Sequence, residues 1–338
     1  MGQRHSCVKK HLTTLLKLVI SVGILAYLVR DALSDPEAVQ RLQNDPKNWG
    51  LLAGAWALCA AAVLLTQVRW WYLVRALDVP LSFSNALRIS FLGYLFNLAP
   101  MGIVGGDLIK TVLLVREHSS QRTRAVASVV ADRLIGLYVM FVVLAVAVLL
   151  FGFWDHPNLD IRWACRIAVV VTAIATLGVG LWFHAGAGTG RFLQWLAGLP
   201  RLGGMIDKLL ETSRAYHQRR GVLIGTGILS IGVHTLFTLG IFLIALGLPD
   251  RTLPLADHFV IAPLSNLATI VPLPAGPQEG AIQYLYGQLA DAGTKGLVIG
   301  LVYRFITILI ALIGVGYYLS ARREVEQVLH QVEEEQGY

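Results

Sequence analysis

The chain has 338 residues, 55% hydrophobic and only 14% charged, with a mean hydropathy of +0.62. Soluble domains carry about 25% charged residues, so this composition excludes a soluble enzyme and describes a polytopic membrane protein. The net charge of +7 does not point to nucleic acid, because the basic residues flank apolar runs, as the loop bias of membrane proteins requires.

In chain order, a first apolar run at 12–29 follows Arg4, Lys9 and Lys10. It reads as a span and not as a cleaved leader, since it lacks a persuasive small-residue cleavage site. A mixed-charge loop, 30–48, leads to a second span at 49–69. Arg69-Trp70-Trp71-Tyr72 closes that span in the manner of an interfacial aromatic belt. Further spans are expected at 125–151, 162–183, 221–247 and 296–320, the first of these carrying Asp132-Arg133. The stretch 184–220 holds six Lys/Arg beside apolar residues at helical spacing. It reads either as an amphipathic helix on an anionic leaflet or as a solvated linker. The tail 321–338, with Glu333-Glu334-Glu335, is expected to be an exposed helix. Cys7, Cys59 and Cys165 form no C-x-x-C pair, so neither a disulfide framework nor a metal site is indicated.

Two stretches depart from this pattern. Asn97-Leu-Ala-Pro-Met-Gly-Ile-Val-Gly-Gly-Asp107 breaks the apolar segment 85–115. Asn266-Leu-Ala-Thr-Ile-Val-Pro-Leu-Pro-Ala-Gly-Pro-Gln-Glu279 breaks the segment 256–290. Each flanking run is shorter than the roughly 20 residues a spanning helix needs, and Pro and Gly interrupt it where a span would be deepest. Irregular backbone at that depth is tolerated only inside protein or along a cavity. Both segments therefore read as re-entrant hairpins, in a fold of six full transmembrane helices plus two broken-helix hairpins. Interrupted segments in matching positions are the strongest sequence pointer to a transporter's binding site.

With both hairpins re-entrant, the segments on the side of the termini hold 15 Lys/Arg and the opposite loops hold 5. This places both termini in the cytoplasm. Residues 49–151 and 221–320 then form an inverted repeat within one integral membrane domain, each half a span, a hairpin and a span. Asp107 precedes Arg133 by 26 residues and Glu279 precedes Arg304 by 25.

The candidate site residues follow from cost. A charged side chain at mid-span costs about 2.5–3.5 kcal/mol on insertion scales, so Arg304 is expected to face a carboxylate, a cavity or an anionic ligand. Its alternatives are a structural salt bridge to Glu279 or Asp107, and contact with a lipid phosphate. Arg133 is either a second phosphate-binding cation or a side chain that snorkels to the interface. Asp132 points away from Arg133 on a helix and is expected to pair elsewhere, with Lys110 as one choice. Asp107 and Glu279 open half-helices, where an acid caps free amides and the amides, with Gly105 and Gly106 beside Asp107, present donors to phosphate. Asn97 and Asn266 are expected to bond the broken backbone. Lys110 reaches a headgroup or snorkels. His234 is a packing residue or a proton carrier. No H-E-x-x-H, Walker A or G-x-S-x-G motif is present, so no catalytic residue, metal or cofactor is expected.

The Pro-x-Gly-x-x-Gly-Gly-Asp107 break, the Asp132-Arg133 pair, the Pro274-x-Gly-Pro-x-Glu279-Gly280 break and the later Arg304 resemble the flippase-like transmembrane region of lysylphosphatidylglycerol synthases, over roughly 10–320. The soluble aminoacyl-transferase domain of the full synthase is absent from this sequence. The resemblance implies movement of an anionic or aminoacylated phospholipid, or of a polyprenyl-linked lipid, between leaflets of the cytoplasmic membrane, without nucleic acid. It is compatible with a homo-oligomer. An integral-membrane enzyme or accessory subunit of glycolipid assembly is the alternative, and would yield an altered lipid where a translocase would not.

Cysteines introduced at positions 84 and 117 are expected to label from the same face of the membrane. Labelling from opposite faces would remove the inverted repeat.

Overall fold

The computed structural model describes residues 2–97, 103–185, 213–271, 273 and 275–320. Among them the chain is helical, with no strand. Helix α1 spans Gly2–Ala32, α2 Pro36–Asn44, α3 Trp49–Arg75, α4 Phe83–Phe96, α5 Ile103–Glu117, α6 Arg122–Leu150 and α7 Leu159–Ala185. After them come α8 Arg220–Gly247, α9 Leu255–Leu267, α10 Pro277–Ala290, α11 Gly293–Ala311 and α12 Ile313–Ser320. Most of the 184–220 segment and the whole 321–338 tail lie outside the described residues.

Five described segments are long and apolar enough to cross a bilayer: α3, α6, α7, α8 and the joined α11–α12. The expected first span at 12–29 lies inside α1, a continuous 31-residue helix outside that set of five. The membrane signature is clearest on α7. Trp163, Ile167, Val170, Ile174, Leu177 and Leu181 recur at alternating spacings of four and three, and each is at least half exposed. In water such a stripe would be buried. Here it is the face turned outward, so the protein is a multi-pass membrane protein.

Two compact units divide the chain. The first comprises Met1–Ala62, Leu87–Leu113 and Thr235–Tyr338, and so contains the bodies of both broken hairpins. The second comprises Val63–Ala86 and Leu114–His234.

Within the first unit, α3 and α8 pack through small residues. A Cβ on Gly240 would strike Cys59 Sγ and approach the Ala55 carbonyl. Between membrane helices, where the hydrophobic effect gives no drive, such close backbone approach is the main source of adhesion. The α4–α5 hairpin packs against α12, where Phe91 stacks on Tyr317 with ring centroids 6.1 Å apart.

Helix α1 docks on α10 along a Gly276-x-x-x-Gly280 face. Ile24 lies over Gly276 and Leu28 over Gly280, and at the next turn Gln283 Nε2 donates to Asp31 Oδ2 at 2.7 Å. Gly276 sits at φ +107°, a conformation that only glycine adopts without strain.

Within the second unit, the end of α3 is tied down by the start of the α8 region. Tyr216 Oη donates to the Leu73 carbonyl at 3.0 Å, and Arg219 Nη1 donates to the Ala76 carbonyl at 2.8 Å. These satisfy carbonyls that a helix C-terminus leaves open. On the other side α6 and α7 are joined by Thr172 Oγ1, which donates to the Phe141 carbonyl at 3.0 Å.

Gly276→Ala combines an excluded φ with a collision against Ile24 and is expected to cost about 1–3 kcal/mol, seen as a lower Tm of the detergent-purified protein. Gly23→Ala, in α1 where an added Cβ meets nothing within 4 Å, should leave Tm unchanged or raise it.

Candidate functional site

The two hairpins are built differently at their breaks. In the second, Gly276 precedes α10 and Pro277 occupies its first turn, where the missing N–H costs nothing. Glu279 then sits at the third helical position, and its Oε2 accepts the Gly276 amide at 2.9 Å. This is the carboxylate half of a capping box, with no side chain at Gly276 to supply the other half. The second oxygen, Oε1, accepts from Arg304 Nε of α11 at 2.5 Å. One carboxylate thus caps a half-helix and anchors a mid-span arginine.

Exposure separates the two partners. The Glu279 side chain is 1% exposed and that of Arg304 is 25% exposed. Among the described residues the Nη groups of Arg304 have no acceptor. Glu279 is therefore a fixed buried anion, while the planar end of Arg304 is available to an anion that accepts two parallel hydrogen bonds. Gly300 permits the approach, since a Cβ there would meet the Glu279 Cα and Cβ.

In the first hairpin α5 begins at Ile103, so Asp107 lies in the second turn. That is too far along to cap the amides at the helix start, as the sequence had suggested. Its carbonyl accepts from Thr111 Oγ1 at 2.8 Å. The break is bridged instead by Asn97, whose Oδ1 accepts the Gly106 amide at 3.1 Å. Gly106 is buried and has no room for a side chain, because a Cβ there would run into the Gly93 carbonyl and Asn97. Gly105 is buried beside it, and Lys110 is 8% exposed, its stem lying against Gly93. Residues 98–102 lie outside the described set, as do Pro272 and Pro274. Asn266 ends up exposed, its carbonyl accepting from Thr269 Oγ1 at 2.6 Å.

Both hairpins return to where they start. At the ends of the first, Asn85 Nδ2 donates to Glu117 Oε2 at 3.4 Å. Across the second, the His258 ring is hydrogen-bonded through Nε2 to Tyr286 Oη at 2.6 Å. At 14 and 15 residues, α4 and α5 are each about 21–23 Å long, short of a hydrocarbon core of about 30 Å.

Asp132 belongs to a separate cluster in the second unit. The sequence offered Lys110 as its partner, but Asp132 Oδ1 accepts from Arg69 Nε at 2.7 Å. Arg69 Nη1 also donates to Ser230 Oγ at 2.8 Å, which ties α3, α6 and α8 together. The two charged side chains are 6% and 8% exposed. Gly136 leaves space for the guanidinium, and its carbonyl is bonded to His234 Nε2 at 3.0 Å. His234 is thus part of the packing around the pair. Arg133, one residue on, is exposed.

Sequence reasoning missed Arg69 because Arg69-Trp70-Trp71 looks like the end of a span. The helix runs on to Arg75 and buries both Arg69 and Trp70. The usable signal was Asp132 itself, an acid in a span that demands a cation in another.

A family model described as the lysylphosphatidylglycerol synthase TM region matches residues 14–314. The chain belongs to that family. The match contains both ion pairs, Arg69–Asp132 and Glu279–Arg304, and supports a membrane role connected with lipid. No curated protein matches the chain.

The two ion pairs predict different mutant behaviour. Arg69→Met strands Asp132 in a closed site and is expected to cost about 3–5 kcal/mol, measured as lost thermal stability in detergent. Adding Asp132→Leu should restore most of it, because an apolar pair of similar volume often replaces a buried ion pair at little cost.

Proposed function

We propose that this protein is a lipid translocase that moves an anionic or aminoacylated phospholipid, or a related lipid, between the leaflets of the cytoplasmic membrane. The observation that carries the reading is Arg304. It is a mid-span guanidinium held through Nε by a buried carboxylate, with its Nη groups open and its side chain part exposed. A lipid phosphate is a bidentate acceptor. It can take the open side of the guanidinium while Glu279 keeps the arginine in place, or displace it from Glu279 for part of a cycle.

In this reading six spans, counting α1, and two re-entrant hairpins form an inverted repeat with both termini cytoplasmic. The connections support it. The first hairpin begins eight residues after α3 ends at Arg75, and the second eight residues after α8 ends at Gly247. The Asn48 amide just ahead of α3 donates to the Gly247 carbonyl at 2.9 Å, so the second hairpin opens at the other end of α3. Hairpins entering from opposite faces suit alternating access. Arg133 is the corresponding cation of the first repeat, 26 residues after Asp107 in the chain. The family supports a lipid-related role, and the reading takes the protein to move lipid without chemically changing it.

Arg304→Ala is expected to insert normally, to lose stability because Glu279 keeps a buried charge, and to lose movement of labelled lipid in reconstituted liposomes. Arg304→Lys should keep only part of the activity, since an ammonium lacks the planar fork. Full transport by a correctly folded Arg304→Ala protein would remove Arg304 from the mechanism. A change in the mass of the lipid would replace the translocase with an enzyme.

A further inference from the structure

A cavity of about 340 Å³ lies at the base of the second hairpin. Leu253 and Pro254 ahead of α9, Ala290 at the end of α10 and Lys295 in the first turn of α11 line it. The Lys295 ammonium donates to the Asp250 carbonyl at 2.7 Å, the Arg251 carbonyl at 3.3 Å and Thr252 Oγ1 at 2.9 Å. Three acceptors for three donors hold the turn ahead of α9 in place. Because the candidate span of α8 ends here and that of α11 begins here, the cavity lies at the depth of headgroups and water.

One hydrogen bond from this wall is a histidine closed off from solvent. His258 in α9 and Tyr286 in α10 are both 0% exposed. His258 Nδ1 lies 2.9 Å from the carbonyl of Pro254, a residue that is itself exposed and in the cavity wall. A carbonyl only accepts, so Nδ1 carries the ring proton. Nε2 then accepts from Tyr286 Oη at 2.6 Å. A neutral ring in one tautomer therefore ties the two arms of the hairpin together, with the Phe242 ring of α8 packed against it at 5.0 Å between centroids.

A proton added at Nε2 reverses this bond. Tyr286 must then accept from the ring, and among the described residues its own O–H has no second partner. The charged groups on the surrounding elements are poorly placed to answer a positive ring. Asp250 already accepts from Arg41 Nε at 3.2 Å, and Lys295 has the same sign as the protonated ring. Asp257 precedes His258 in α9 and is turned about 100° from it around the helix. Arg251 and Asp291, on the two turns, are exposed. On α10 the neutral Gln283 is bonded to Asp31. The tie is complete while the ring is neutral, above the ordinary histidine value of about 6.5, and is lost as the pH falls.

We propose that His258 is a proton-binding site, reached from the cavity, whose occupation releases α9 from α10 and opens the base of the second hairpin. The proton passes from water to Nε2, and the only interaction broken is the hydrogen bond donated by Tyr286. The site itself needs no lipid. Its place in a cycle rests on the translocase reading. In that orientation the cavity faces away from the cytoplasm, the side that a proton-motive force acidifies, so the gradient favours the open hairpin and drives lipid movement.

Nitrogen-15 NMR of the histidine-labelled, detergent-purified full chain tests the site, with His258→Gln identifying the signal. The ring is expected to be the Nδ1–H tautomer at pH 7.5 and doubly protonated by pH 4.5. Over the same range hydrogen-exchange protection of 256–262 and 281–290, corrected for the intrinsic rate, should fall at least about tenfold. In His258→Gln protection should not change with pH. Tyr286→Phe, which removes the bond that the proton breaks, should let the ring protonate at higher pH with a smaller change in protection. Arg304→Ala should leave the titration as it is, so this site and the Arg304 site read out separately. In liposomes an acid exterior should speed movement of labelled lipid at least about threefold, and His258→Gln should remove that response. A ring that stays neutral to pH 4.5, or protonates with no loss of protection, would overturn the site. Lipid movement indifferent to the gradient beside an intact titration would overturn the coupling.

Discussion

The structure around the second hairpin depends on one carboxylate doing two jobs. Glu279 ends a run of irregular backbone by accepting the Gly276 amide, and with its other oxygen it holds Arg304. Each role makes the other affordable. A buried carboxylate without a cation would cost several kcal/mol, and a mid-span arginine without an anion would carry a similar penalty. Because the cap fixes the acid, the cation is fixed too, and its side chain stays part exposed.

The comparison with Arg69 and Asp132 shows how burial assigns roles to similar chemistry. Both pairs are short, yet both members of the Arg69 pair are closed off, and Ser230 takes a further donor of the guanidinium. That arrangement joins three helices within the second unit. In the Arg304 pair only the acid is closed off.

Small residues let both breaks close on their neighbours. Backbone that leaves the helix must find partners at once, since hydrocarbon offers none. Gly106 lets the first break close on Gly93 and Asn97, and Gly276 lets the second close under Ile24. The echo of Asn-Leu-Ala in the two breaks therefore conceals different solutions. An asparagine side chain bridges the first, and a glutamate caps the second. Asp107 and Glu279 match in sequence position, but a helix that starts at Ile103 puts Asp107 in the second turn.

The sequence by itself determined the membrane class, the all-helical architecture, the two interrupted segments and the family. Those properties follow from composition, run length and Pro/Gly placement, which are local and additive along the chain. Tertiary structure alone decided the partners. Which cation meets Asp132 depends on how far α3 continues past Arg69, and on a contact across 63 residues. That one Glu279 carboxylate serves both the Gly276 amide and Arg304 depends on α11 packing beside the start of α10. That the turn after α8 closes on the start of α11 depends on Lys295, whose ammonium donates to the Asp250 carbonyl and Thr252 Oγ1. Charge and spacing restrict such pairings to a few choices, and burial, a property of the whole packed unit, selects among them.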